Sequence, residues 1–174
     1  MIMKFEITEE ESHKAKIPHE IFISNLVGNH ILWFIAALGL AGSYIQPLIL
    51  VPVVSVATLT YILWRARKSP GQDSWYVMCH WQICARRSRL FILMLLILAC
   101  VSGLGWAAHT YLGMMKEAAY ALVGGLGFLP VMVTVLVLII MESDSLHQAT
   151  LYKLPKSIVE RYSGAEMPAT LEDS

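Results

Sequence analysis

Between Ile31 and Trp64 the chain runs for 34 residues without an Asp, Glu, Lys, Arg or His. As one helix this run would measure roughly 51 Å at 1.5 Å per residue. About 20 helical residues already cross the hydrocarbon core of a bilayer. The run is therefore two spans, folded at its weakest point, Gly42-Ser43-Tyr44-Ile45-Gln46-Pro47. Pro47 disfavours helix at the preceding residue, and Gly42 and Ser43 loosen the end of the first span. Span one is expected near 29–45 and span two near 47–65. Both are close to the short limit and Pro52 falls inside the second, so a re-entrant or partly buried pair remains an alternative.

Two more apolar runs follow. Leu90 to Ala108 is interrupted only by Ser102, which places span three near 90–110, with Trp106, His109 and Tyr111 at the far interface as an aromatic belt. Span four is expected near 119–141, with Gly124, Gly125, Gly127 and Pro130 in its first half and a bulkier second half. With 56% hydrophobic residues in 174, the composition fits one small integral membrane domain. The expected fold is an all-α integral membrane protein: four transmembrane helices as two hairpins, with a basic cytosolic helix between helices 2 and 3.

The orientation comes from the middle connection. Arg65, Arg67 and Lys68 close one apolar segment, Arg86, Arg87 and Arg89 open the next, and a single acid, Asp73, stands against them. Short loops rich in Lys and Arg stay cytosolic, and the outer loops carry only Lys116. This predicts a multi-pass protein of the bacterial inner membrane with both termini in the cytosol. Ser69-Pro70-Gly71-Gln72-Asp73 is turn chemistry, and Asp73 or Ser74 suits the cap of a following helix. On that helix Val77, Trp81, Cys84 and Ser88 share one side, with Gln82, Arg86 and Arg89 opposite. It should run unbroken into span three.

The flanks look less structured. Residues 1–16 are charged and poor in apolar residues and read as a polar cytosolic tail. Pro18 suits a first helical turn and opens an interfacial turn that leads into the first hairpin, the two together covering 17–66. Residues 67–89 form the basic connection, 90–141 the second hairpin and 142–174 a cytosolic C-terminal tail. The N-terminus lacks the basic-then-apolar-then-small pattern of a cleaved signal, so the first apolar segment is expected to be retained.

The chemistry-bearing residues point away from catalysis. Formal net charge is zero, so no global field favours nucleic acid. Cys79, Cys84 and Cys100 form an odd set without CxxC spacing, and no disulfide framework is expected. No span holds an ionisable group near its middle, which ion-coupled carriers usually need. His30, His80 and His109 are the conceivable haem ligands, but His109 falls at the opposite face from the other two, and interfacial packing explains all three. Cys79, His80 and Cys84 make a CHxxxC cluster without a fourth ligand, and on a helix Cys79 and His80 point about 100° apart. No GxSxG, HExxH, P-loop or dinucleotide glycine pattern is present. The sequence thus predicts no catalytic residue, no cofactor and no metal.

Packing signals are clearer. Ala99, Gly103 and Ala107 recur every four residues, Gly39 and Ser43 repeat the pattern on span one, and Ala121 and Gly125 on span four. In lipid such small-residue stripes let helix backbones approach closely, either within the chain or with other subunits. Around the basic connection, Trp75, Trp81, Arg86, Arg87 and Arg89 are candidate contacts for a partner or for anionic lipid headgroups at the cytosolic face. The expected function is a non-catalytic inner-membrane subunit of a multiprotein envelope assembly, such as a conjugation or secretion apparatus, with other membrane subunits as partners. A small transporter or channel and a helper subunit of a membrane redox complex remain alternatives.

Overall fold

A computed structural model describes residues 2–40, 42, 44, 46–163 and 167–171. Among the described residues, four helical stretches are long and apolar enough to cross a membrane: Glu9–Leu40, Gln46–Gly71, Trp75–Leu112 and Lys116–Thr150. The chain divides into two compact units, Met1–Ser88 with Ile139–Ser174, and Arg89–Leu138.

The first unit begins with strand β1 (Ile2–Phe5) and helix α1 (Glu9–Ile23). Thr8 and Glu11 close a capping box at the start of α1, and Glu9, Glu10 and Glu11 fill its first turn, where the helix dipole favours acids. The helix passes through Pro18, continues as a π-helical stretch over Ser24–Trp33 and ends in α2 (Phe34–Leu40). Helix α3 (Gln46–Lys68) packs beside it: Asn29 Nδ2 donates to the Val51 carbonyl at 2.9 Å and Trp33 Nε1 to the Pro47 carbonyl at 3.0 Å. After a 3₁₀ turn at Ser69–Gly71 the long helix α4 (Trp75–Leu112) begins, so the basic segment and the third apolar run share one helix as expected.

The expected tails are not tails. Strand β1 is the central strand of a three-stranded antiparallel sheet, flanked by β2 (Lys153–Pro155) and β3 (Thr170–Leu171) from the far end of the chain. Met3 pairs with Leu154 and Phe5 with Thr170. Phe5 is fully buried against Trp75 and Tyr76. On α1, Ser12, Ala15, His19 and Phe22 are buried at helical spacing, while Lys14 pairs outward with Glu10 at 2.6 Å. The charges that make this stretch look solvated occupy one face of an element whose other face joins the core. At the C-terminal end, Leu154 in β2 and Ile158 and Val159 in helix α7 (Lys156–Arg161) enter the same core. The architecture is thus predominantly helical, as expected, with a small three-stranded sheet that was not expected from the sequence.

The second unit holds the C-terminal part of α4, helix α5 (Lys116–Leu122), a π-helical turn at Val123–Phe128 and the start of α6 (Leu129–Thr150). Its helices meet at two glycines. A Cβ on Gly127 would lie 2.9 Å from Leu98 Cδ1, and one on Gly105 would lie 3.0 Å from Val123 Cγ2. Here the absence of a side chain is what allows the approach.

Candidate functional site

The most concentrated chemistry in the molecule is a buried polar cluster in the first unit, built from α1, α4 and α6. Pro18-His19 lies midway along α1, and the helical phase that buries Ala15 and Phe22 also turns His19 inward. Helix α4 presents His80, Cys84 and Arg87 at successive steps of four and three residues, which is one helix face. Helix α6 runs on for two more turns beyond its apolar segment and so carries Glu142 and Ser145 into the interior. His19, His80, Cys84 and Glu142 are all fully buried.

These groups hold one another. His19 Nδ1 hydrogen-bonds Glu142 Oε2, and His19 Nε2 lies 2.9 Å from His80 Nδ1. Arg87 Nη1 donates to Glu142 Oε1 at 3.2 Å, to Ser145 Oγ at 2.8 Å and to the Met141 carbonyl at 2.9 Å. The Cys84 thiol donates to the Pro18 carbonyl at 3.3 Å. A buried carboxylate needs both a counter-ion and hydrogen-bond donors, and Arg87 and His19 together meet that demand. The far nitrogen of His80, Nε2, is buried with no hydrogen-bond partner among the described residues. Ligand atoms of His19, Cys84 and Glu142 lie within 4.8 Å of one another, so imidazole, thiol and carboxylate converge on one point.

The sequence-based candidates fare differently. Trp75 and Trp81 are inside the chain rather than on its surface: Trp75 Nε1 donates to the Tyr162 carbonyl at 2.6 Å, and Trp81 stacks under Arg65 at 5.1 Å. Arg87 belongs to the buried cluster. Arg86 and Arg89 are exposed, with Arg67 and Lys68. Arg65 is bound to Asp73 at 2.7 Å. Burial works against the Asp73 carboxylate, but the hydrogen bonds from Arg65 and Ser69 outweigh it and hold its pKa below the usual carboxylate range.

The histidines considered for haem do not come together as a set. His30 Nδ1 binds the Asn25 carbonyl, His109 Nδ1 the Met114 carbonyl, and His80 meets His19 instead. Cys79 and Cys84 are both buried, but it is Cys84, with His19 and Glu142, that converges with other ligand-type groups. The small-residue stripes face outward: Gly39, Ala99, Gly103, Ala121 and Gly125 are exposed and Ala107 is half-buried, while Ser43 lies outside the described residues. Among the described residues, a Cβ on Gly39, Gly103 or Gly125 would meet nothing within 4 Å.

Sequence reasoning missed His19, Glu142 and Ser145. The signal available in the sequence is the His80–Cys84–Arg87 spacing, which puts three chemistry-bearing groups on one face of α4. No family model, curated protein or solved structure matches the chain.

Proposed function

We propose that the chain is a non-catalytic, multi-pass membrane subunit that assembles side by side with other membrane-spanning chains. The observation that carries this reading is the outward direction of the small-residue stripes. Close packing within the second unit uses Gly105 and Gly127, and leaves Ala99-Gly103 and Ala121-Gly125 open. Gly39 in the first unit is open as well. In lipid, helix association depends on close van der Waals fit rather than on expulsion of water, and small-residue faces are where that fit is made.

The bias of Lys and Arg toward the middle connection supports a bacterial inner-membrane setting with that connection and both termini in the cytosol. Exposed Arg67, Arg86 and Arg89 then meet anionic headgroups there. A multi-pass subunit of this kind suits an envelope machine of the conjugation or secretion class.

The test is co-purification of the tagged chain from its native membrane in mild detergent. Other membrane proteins should be recovered with it, and Gly103→Leu should reduce that recovery without changing thermal stability. Recovery of the chain alone, or unchanged recovery with Gly103→Leu and Gly39→Leu together, would refute the reading.

A further inference from the structure

We propose that His19, Cys84 and Glu142 form a binding site for a divalent transition metal of the zinc class. The inference is independent of any partner. The three side chains come from α1, α4 and α6, so an ion there would tie the N-terminal, central and C-terminal helices of the first unit together.

The donor set suits such an ion. Imidazole nitrogen, thiolate sulfur and carboxylate oxygen are the three protein ligand types of zinc, and three of them with a fourth position left over is a common arrangement. Bonds of about 2.0–2.3 Å in tetrahedral geometry set donor atoms roughly 3–4 Å apart. The three ligand atoms already lie within 4.8 Å of one another, so small side-chain movements suffice.

The surroundings match what holds metal ligands in place. His19 Nδ1 is the nitrogen that faces Glu142, which leaves Nε2–H to donate to His80 Nδ1, 2.9 Å away. A histidine ligand commonly has its second nitrogen fixed in this way. Arg87 and His19 divide the carboxylate between them: Arg87 takes Oε1, and Oε2 faces His19. The charge also balances. Entry of a 2+ ion displaces the Cys84 thiol proton and the proton shared by His19 Nδ1 and Glu142 Oε2. Two protons leave as two positive charges arrive, and the buried site keeps its net charge.

The experiment uses the full chain, purified in mild detergent, stripped with a chelator and titrated with Co²⁺. Cobalt on a thiolate gives a near-ultraviolet sulfur-to-metal charge-transfer band and intense visible bands when tetrahedral. The expected result is saturation at one equivalent, displacement by Zn²⁺, and a rise in Tm with Zn²⁺ in the wild type. Cys84→Ser, nearly the same size, should abolish the charge-transfer band and the Tm rise, and His80→Phe should weaken binding by about 10- to 100-fold. Cys100→Ser, at an exposed cysteine, should change nothing. The proposal is overturned if wild-type protein gives no charge-transfer band, or if the band survives Cys84→Ser.

Discussion

Replacing Arg87 by Met tests whether the buried cluster holds the first unit together. Met keeps much of the aliphatic volume and removes the guanidinium. Glu142, fully buried, then keeps only the His19 hydrogen bond among its described contacts, and Ser145 Oγ and the Met141 carbonyl lose a donor. Removing one partner of a buried ion pair costs about 3–5 kcal/mol, because the remaining charge is left without compensation. For a chain of this size that corresponds to a fall in Tm on the order of 10 °C. The assay is thermal unfolding in detergent, with chelator present, followed by a fluorogenic thiol reagent in a Cys100→Ser background. Cys79 and Cys84 are buried and become reactive only on unfolding. Arg87→Met with Glu142→Gln should recover most of the loss, since no uncompensated carboxylate remains. A Tm for Arg87→Met within about 2 °C of the wild type, or a double variant as unstable as the sum of the singles, would refute the reasoning.

Three further outcomes are expected. Phe5→Ala should cost about 3–5 kcal/mol through the cavity left against Trp75 and Tyr76, and should expose the segment after Tyr152 to protease, whereas Lys14→Ala on the outer face of α1 should leave Tm unchanged. Gly127→Ile should lower stability by about 1–3 kcal/mol, because even a Cβ there crowds Leu98 and Val101, while Gly103→Leu should leave the thermal midpoint where it is. Asp73 has a lowered folded-state pKa, so its contribution is complete above the unfolded carboxylate range and is lost as pH falls through the folded value; Asp73→Asn should lower Tm at neutral and alkaline pH and flatten the acid limb, the two proteins converging at the lowest pH.

The apolar helices were legible from the sequence because charge-free runs of this length have few other uses. The break near Gly42 and Pro47 and the fusion of the basic segment with the third apolar run into Trp75–Leu112 also followed from local chemistry. Two things did not. The charge count of the first 16 residues is silent on phase, and burial there depends on it: Ser12, Ala15, His19 and Phe22 are spaced for one helix face, Phe5 packs on Trp75 and Tyr76 much later in the chain, and β1 pairs with β2 and β3 from the other end of the chain. The buried cluster combines residues 61 and 123 positions apart, and no local pattern announces that His19 and Glu142 will meet. Trp75, Trp81 and Arg87 look like exposed anchors because Trp and Arg often are. In this chain Phe5 of β1 and the Tyr162 carbonyl engage Trp75, Tyr61 and Arg65 of α3 engage Trp81, and Glu142 claims the guanidinium of Arg87.

The most direct test of the account is the side of the membrane on which the two ends of α4 lie. Cysteines placed at the exposed positions Gln72 and Lys116, in a Cys100→Ser background, are treated in intact cells with a membrane-impermeant maleimide. The account predicts that Gln72→Cys is labelled only after the cells are opened and that Lys116→Cys is labelled from outside. Labelling of Gln72→Cys in intact cells, or equal labelling at the two positions, would contradict it.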